Sequence, residues 1–328
     1  MSSITKTSVS EIKLREITKQ AFGNSVLIEE IKELTDGFFN SAYLLRLSNG
    51  IKTVLKVSPQ KTIRVMRYEH NIMETEVEVL NKIAALETVP VPKILYYDPS
   101  LSVIGSKFYF MEFIEGIPMN KHRDQITQEQ YDKISTDAGA YINQIKKLET
   151  SYFGYISQPN KRFSTWGKAF SFMIKELIDD AREIGAELPC SYQYILDIVN
   201  SKIEILDKVK TPSLVHKDLW EGNIFVNPKT AEITGFIDFE RAICGDALLE
   251  PVCGFLLDNP QFMLNYYGKT SLDKEEKTRT ILYKIYLFLL MVIECPFRQY
   301  PGEDCDKWQR EQLKLALEEF KNIDNLDK

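Results

Sequence analysis

Apolar and polar residues in the first third of the chain follow the two-residue period of β-strands, interrupted once by a helical pattern. Turn residues separate the segments, as in the hairpin signal Ser48-Asn-Gly50. Val89-Pro-Val-Pro92 ends the helical segment, because proline cannot continue a helix. This part of the chain is therefore predicted to be β-rich. The predicted strands are 31–34, 42–47, 52–57, 93–97 and 107–113, and the predicted helix is 67–86.

After Gly116 the apolar spacing becomes helical, except for one hairpin. The hairpin consists of strand-like apolar runs at 223–226 and 232–238, separated by the turn residues Asn227-Pro-Lys-Thr230. It lies between the third and fourth helices of this region, so a short β element is inserted among long helices. The predicted helices are 127–148, 165–184, 192–209, 271–293 and 306–323.

These patterns predict an α+β fold of two lobes with a cleft between them. The small, β-rich amino-terminal lobe is expected at 1–113, and the larger, mainly helical carboxy-terminal lobe at 114–328. A chain of 328 residues is long enough for both. Its contents of 44% apolar and 27% charged residues are ordinary for a globular protein.

Charge, cysteine content and hydropathy exclude several classes of protein. A net charge of −6 without a basic cluster argues against nucleic acid as a partner. The longest apolar run, 281–293, contains Lys284 and is too short to span a bilayer, so we interpret it as a core helix and expect no membrane partner. The odd number of cysteines without zinc-like spacing indicates reduced thiols in the cytoplasm. These cysteines are Cys190, Cys244, Cys253, Cys295 and Cys305.

The predicted hairpin carries a set of polar residues that phosphoryl transfer would require. Asp218 precedes Asn223 by five positions, and Asp238 ends the returning strand. Mg²⁺ prefers hard oxygen ligands, which Asn223 and Asp238 offer. Asp218 can accept a hydrogen bond, and later a proton, from an attacking hydroxyl. Each residue alone is equally well explained as a turn former, but the ordered set favours phosphoryl transfer.

The segment His216-Lys-Asp-Leu, with Asn223 after it, resembles the catalytic loop of protein kinases. It is more similar to the aminoglycoside phosphotransferase and choline kinase superfamily, because Ile237-Asp-Phe-Glu240 and Gly245-Asp246 follow in order. The resemblance extends over roughly residues 34 to 250. It implies a protein-kinase-like fold, ATP or GTP as co-substrate, Mg²⁺ held by Asn223 and Asp238, and Asp218 as the catalytic residue.

Lys56 lies in the predicted strand Val54-Leu-Lys-Val57, on the same face as Val54. By resemblance to the kinase β-strand lysine, Lys56 would contact the nucleotide phosphates; the alternative is an edge-strand lysine that deters aggregation. A buried acid is expected to be paired, and Glu76 lies within the apolar stripe of the helix predicted at 67–86. We therefore predict Glu76 as the partner of Lys56, with Glu69 as the alternative.

The remaining nucleotide contacts rest on the resemblance alone. The turn-rich loop 35–41, which ends at Ser41, would lie over the phosphates, although its single glycine also suits an ordinary hairpin. The segment 108–116 resembles the hinge between kinase lobes. There Met111 would be the gatekeeper, and the Glu112 carbonyl and Ile114 amide would pair with adenine. The alternative is a plain central strand.

Four residues are predicted to support the reaction from nearby. His216 is expected to brace the catalytic loop, and Asp246 to cap a helix or hold that loop. Glu250 and Trp220 are assigned to the acceptor site, and core packing is the alternative for Trp220.

The acceptor itself stays open at this level. An aminoglycoside, choline or another amino alcohol, a sugar and an amino-acid-like alcohol all carry the required hydroxyl. The negative net charge mildly favours a cationic acceptor. A nucleotide-binding sensor or scaffold without turnover is the alternative of another class, and it is disfavoured because the lysine, the base and both metal ligands are present.

Overall fold

The computed structural model describes residues 4–299 and 303–325. Its amino-terminal part is a five-stranded antiparallel sheet with strand order β1-β2-β3-β5-β4. The predicted strands are all present. In chain order, the elements are α1 (Glu11–Phe22), β1 (Ile28–Leu34), β2 (Ser41–Leu47), β3 (Lys52–Val57), α2 (Ile72–Ala84), β4 (Ile94–Asp98) and β5 (Phe108–Glu112).

The two faces of this sheet are covered by different helices. Leu55 of β3 is buried with Leu14 and Ile17 of α1. Val54, the neighbouring residue, packs instead with Met73 and Val77 of α2. Since side chains alternate along a strand, Lys56 lies on the α2 side with Val54. The sequence patterns did not predict α1, although Ser10 caps its first turn by accepting a hydrogen bond from the Lys13 amide.

The carboxy-terminal part is mainly helical and contains two small sheets, of order β11-β10-β6 and β8-β7-β12-β9. Its elements are β6 (Ile117–Pro118), α3 (Gln128–Lys146), β7 (Phe153–Tyr155), β8 (Arg162–Phe163), α4 (Trp166–Ile184), α5 (Tyr192–Ser201), α6 (Ile203–Leu206), β9 (Ser213–Val215), β10 (Ile224–Val226), β11 (Ile233–Phe236), β12 (Ile243–Gly245), α7 (Leu249–Cys253), α8 (Pro260–Tyr266), α9 (Lys274–Phe297) and α10 (Glu303–Asn325).

Helix α9 forms the centre of the carboxy-terminal core. By length and composition it could cross a bilayer, but 78% of its apolar window is buried inside the fold. Its residues Leu282, Ile285, Leu289 and Ile293 belong to the largest cluster of buried apolar side chains. Burial of this kind is typical of the core helix that the sequence indicated.

Several predicted elements are interrupted where the backbone changes conformation. The helix expected at 67–86 consists of a 3₁₀ turn, Arg67–Glu69, followed by α2, because Asn71 takes a left-handed conformation with φ of 61°. The helix expected at 192–209 is divided into α5 and α6 at Lys202. The protein-kinase-like fold of a small antiparallel sheet lobe and a helical lobe is confirmed.

Candidate active site

The hairpin of β10 and β11 brings Asn223 next to the segment that ends at Asp238. Ile224 pairs with Phe236, and the Ile237 amide donates to the Asn223 carbonyl over 3.1 Å. Asp238 then leaves the extended conformation with φ of 70°, which turns its side chain out of the strand. The side-chain amide of Asn223 donates to the Asp218 carbonyl over 2.8 Å, so the loop that carries Asp218 is fixed to the hairpin.

Lys56 lies between two carboxylates at this point. Its Nζ is 2.7 Å from Glu76 Oε1 and 2.8 Å from Asp238 Oδ1. Burial opposes the charge on Lys56, but the nearby Asp238 and Glu76 carboxylates outweigh burial and raise its pKa well above the ordinary value. The structure thus places Glu76, rather than Glu69, against Lys56. Glu69 accepts a hydrogen bond from Arg298 instead, over 3.1 Å.

Asp218 lies in the loop before β10, and 28% of its side chain remains accessible. Burial raises the pKa of Asp218 to about 6, and the approach of Arg241, 3.8 Å from its carboxylate, moderates the rise. The carboxylate is therefore mainly ionised near neutral pH, with a basicity increased for proton acceptance. Arg241 also donates to Glu294 over 2.7 Å, which holds the guanidinium in place.

His216 connects the catalytic loop to the Asp238 segment through both ring nitrogens. Nε2 donates to the Ile237 carbonyl over 2.9 Å, and Nδ1 accepts from the Asp218 amide over 3.2 Å. This pair of contacts assigns the proton to Nε2. Burial lowers the pKa of His216 to about 4, so the ring is neutral. The two contacts hold the catalytic loop against the Asp238 segment.

Glu250 does not face the cleft, which corrects its assignment to the acceptor. It is fully buried, and its carboxylate accepts hydrogen bonds from the His216 amide (2.6 Å) and the Lys217 amide (3.1 Å). Burial raises the pKa of Glu250 to about 7. The Glu250 carboxylate therefore holds the backbone of the catalytic loop at residues 216 and 217. The position of Glu250 in the sequence could not reveal this role.

Asp246 contacts helix α9 and the residue that precedes α7. Its carboxylate accepts from Arg279 (2.8 Å) and from the Tyr283 hydroxyl (2.7 Å) of α9, and from the Leu248 amide before α7. It thereby fixes α7, the helix that carries Glu250, to α9. Asp246 therefore supports the catalytic loop through α7, which carries Glu250.

The residues expected around the adenine lie at the junction of the lobes. Met111 is 5% exposed and packs on the α2 side of the sheet, while its carbonyl accepts from the Thr53 hydroxyl. Glu112 ends β5 and its amide donates to the Lys93 carbonyl. Ile114 follows β5 and packs on Gly235 of β11, where any added Cβ would lie 2.3 Å from the isoleucine. This contact explains the glycine in a strand.

Ser41 and Trp220 have contrasting environments. Ser41 is the first residue of β2 and is 1% exposed, so its side chain is enclosed by the lobe in this structure. Trp220 is 43% exposed and follows the catalytic loop directly, which leaves it accessible to an acceptor. Trp166, by comparison, is completely buried and donates to the Tyr283 hydroxyl, so it belongs to the core.

Two functional candidates were missed by the sequence patterns. The carboxylate of Glu240 lies with those of Glu76 and Asp238, one oxygen from each within 4.8 Å of the others. Burial and the neighbouring Asp238 raise the pKa of Glu240 well above its ordinary value. Asn40, in the loop before β2, donates to Glu240 over 2.6 Å. The only available signal was the position of Glu240 two residues after Asp238.

The donor set fits Mg²⁺. Asp238 and Asn223 offer hard carboxylate and amide oxygens, and they are joined through the hydrogen bond between the Ile237 amide and the Asn223 carbonyl. The carboxyl groups of Glu76 and Glu240 lie close to Asp238 and Lys56, with one oxygen from each acid within reach of the same point. Hard oxygen ligands of this kind are those that Mg²⁺ prefers.

A family model described as "Phosphotransferase enzyme family" matches residues 30–261. The chain belongs to the phosphotransferase enzyme family. The matched part of this phosphotransferase contains Lys56, Glu76, Asp218, Asn223 and Asp238. The superfamily inferred from the catalytic loop is confirmed.

Curated relatives of this phosphotransferase are much longer proteins. It is 21% identical over 248 residues to a probable acyl-CoA dehydrogenase, IBR3, from Arabidopsis thaliana, covering 75% of the chain and 29% of the relative. It is 25% identical over 224 residues to acyl-CoA dehydrogenase family member 10 from Mus musculus, covering 66% of the chain and 19% of the relative. The chain thus spans less than a third of either protein.

Solved structures match the phosphotransferase over nearly its whole length. A candidate fructosamine-3-kinase from Haemophilus somnus 129PT has a TM-score of 0.68 at 18% identity, with 93% of this chain and 96% of that chain covered. Aminoglycoside 2′-phosphotransferase-IIIa in complex with GDP has a TM-score of 0.62 at 19% identity, covering 94% and 99%. At these identities the likeness establishes the fold.

Proposed function

We propose that this phosphotransferase transfers the γ-phosphoryl group of ATP or GTP to a hydroxyl of a small molecule, with Mg²⁺ as cofactor. The observation that carries the proposal is the position of Lys56 between Glu76 and Asp238, at 2.7 and 2.8 Å. Asp218, which is partly accessible and has a raised pKa, is fixed beside this pair through Asn223. Phosphoryl transfer depends mainly on such positioning and charge stabilisation.

In the proposed reaction, Asp218 accepts a hydrogen bond from the acceptor hydroxyl and orients its oxygen toward the γ-phosphorus. The new phosphorus–oxygen bond forms as the bond to the leaving diphosphate breaks, and Asp218 takes the hydroxyl proton. Lys56, held by Glu76, stabilises charge on the phosphates. Asn223 and Asp238 would hold Mg²⁺, which when bound neutralises phosphate charge. His216 and Glu250 keep the loop of Asp218 in position.

The acceptor is proposed only as a class. A similar solved structure, the aminoglycoside phosphotransferase APH(4)-Ia, is a complex with AMP-PNP and hygromycin B, and another is a candidate fructosamine-3-kinase. These neighbours support a polyhydroxylated or amino-alcohol acceptor. Trp220, exposed beside Asp218, offers an apolar surface for one face of such a molecule.

The test is a panel of aminoglycosides, amino alcohols, sugars and amino-acid-like alcohols, offered with Mg·ATP and with Mg·GTP. Formation of nucleoside diphosphate that depends on one acceptor class supports the proposal and identifies the class. Tight nucleotide binding without turnover on any acceptor would instead support a nucleotide sensor or scaffold. The Asp218→Asn variant, run in parallel, separates transfer from contaminating hydrolysis.

A further inference from the structure

The loop before β2 is attached to the carboxy-terminal lobe at two successive residues. Phe39 is 6% exposed, and the Arg298 guanidinium lies over its ring at 4.9 Å. Asn40 donates to Glu240 over 2.6 Å. Phe38, by contrast, is 65% exposed. One aromatic ring of the loop therefore faces solvent, and the other packs against the carboxy-terminal lobe. Phe39 and Asn40 therefore fix this loop to the opposite lobe, while the Phe38 carbonyl accepts from the Thr5 hydroxyl of the amino-terminal lobe.

Arg298 joins this loop to other parts of the amino-terminal lobe. Only 3% of its side chain is exposed. It donates to Glu69 over 3.1 Å and to the Tyr68 hydroxyl over 3.4 Å, in the 3₁₀ turn that leads into α2. Helix α2 carries Glu76, the partner of Lys56. A guanidinium presents several donors in a fixed plane, so a single arginine can bind these groups together.

Arg298 is also connected to Asp218, through two intervening side chains. Its guanidinium is 2.6 Å from Glu294, one turn earlier on α9. Glu294 accepts from Arg241 over 2.7 Å, and Arg241 lies 3.8 Å from the Asp218 carboxylate. A continuous series of contacts thus runs from the Phe39 ring through the buried charged groups of Arg298, Glu294 and Arg241 to Asp218.

We propose that Arg298 is a positioning residue that fixes both the loop before β2 and the carboxylate of Asp218. It holds the loop through Phe39, and it holds Asp218 through Glu294 and Arg241. Only the effect on turnover rests on the proposed kinase function, since docking of the loop is a property of the fold. Coupling between the two ends of this series is measured with double-mutant cycles.

The first experiment measures opening of the loop without any reaction. Brief chymotrypsin treatment is followed by mass spectrometry of the cleavage after Phe38, in the wild type, Arg298→Lys, Phe39→Leu and the double variant. Lysine keeps the charge but lacks the planar set of donors. Cleavage should accelerate by roughly three- to tenfold in each single variant, consistent with loss of a cation–π contact. The double variant should show no further gain.

Arg64→Lys is the matched control. Arg64 lies over the Phe297 ring at the same 4.9 Å, but its side chain is 56% exposed and pairs with Glu183. Its cleavage rate after Phe38 should equal that of the wild type. If Arg298→Lys does not fold, as judged by thermal melting, Phe39→Leu with Arg298 intact tests the same contact. Unchanged cleavage in Phe39→Leu and Arg298→Lys, or additive effects, would overturn the docking.

The second experiment separates positioning from general stability. With an acceptor that supports turnover, Phe39→Leu should raise KM for the nucleotide, Glu294→Gln should lower kcat, and Arg298→Lys should do both, each by roughly tenfold. Normal kcat in Arg298→Lys, despite faster cleavage, would overturn the link to Asp218. If the wild type turns over no acceptor, the proposed kinase function fails. In that case the nucleotide affinity is measured by calorimetry. Weaker binding in Arg298→Lys, with unchanged binding in Arg64→Lys, supports the positioning role, and wild-type affinity in Arg298→Lys overturns it.

Discussion

The ammonium of Lys56 on β3 lies 2.8 Å from Asp238 Oδ1, in the segment that follows β11. This ion pair joins the two lobes at the point where a lysine would meet phosphates and a carboxylate would hold Mg²⁺. Only 10% of the lysine side chain is exposed, so solvent weakens the attraction little. Glu76 provides the second carboxylate, at 2.7 Å, and in the proposed reaction these three groups position the phosphate charge.

A double-mutant cycle tests Lys56 and Glu76 as one unit. Lys56→Ala, Glu76→Ala and the double variant should each lose kcat/KM, with a combined loss well below the product of the single losses. Once one partner is absent, the other no longer contributes to phosphate binding. Lys82→Ala and Glu78→Ala provide the matched control, because they form an exposed pair on α2. Independent losses for Lys56 and Glu76 would contradict the pairing.

Replacing Asp238 by alanine should weaken Mg·nucleotide binding much more than metal-free nucleotide binding. The carboxylate is expected to bind phosphate only through the metal, whereas Lys56, released from Asp238, becomes more available to phosphate oxygens. The measurement is calorimetric titration of ATP with Mg²⁺ and with chelator. An equal loss under the two conditions would assign Asp238 a structural role.

Asp218→Asn should abolish transfer and preserve nucleotide binding. The hydroxyl loses both its orientation and its proton acceptor, which typically costs about 10²–10⁴-fold in rate. Asp197→Asn on the exposed face of α5 is the control and should keep wild-type turnover. Nearly normal kcat in the Asp218 variant, at unchanged substrate concentrations, would falsify its role in the reaction.

The acidic limb of the pH profile should belong to Asp218. Because burial raises its pKa to about 6, the carboxylate is protonated below that pH and cannot accept the hydroxyl proton. The value of kcat/KM for the acceptor should therefore fall about tenfold per pH unit below a midpoint near 6. His216 does not account for this limb, since burial lowers its pKa to about 4. A midpoint near 4, or a profile without an acidic limb, would contradict the assignment.

The strands, the hairpin and the charged residues at its ends could be predicted because their signals are local. Apolar alternation defined β2 and β3 almost to the residue, and turn chemistry defined the 227–230 connection. The Lys56–Glu76 contact also followed from a local rule, since an acid on a buried helix face is expected to have a partner. Helix α1 was missed because its polar sequence carries a weak apolar stripe.

The errors came from residues whose environment is made by distant segments. Glu250 was assigned to the acceptor site, but it is fully buried and accepts hydrogen bonds from the amides of His216 and Lys217. Nothing within its own helix shows which way that carboxylate is oriented. Asn40 and Glu240 form a hydrogen bond although they are 200 positions apart in the sequence, and no local pattern predicts such a contact.

The sequence by itself determined the order of the elements and the chemical groups available at the end of each. It did so because strand and helix periodicity, turn formation and the spacing of His216, Asp218 and Asn223 depend on neighbouring residues. Only the tertiary structure decided which side chains meet, as in the contacts of Arg298 with Phe39 and Glu294. Those contacts depend on how the lobes pack, and packing brings together side chains that no local interaction relates.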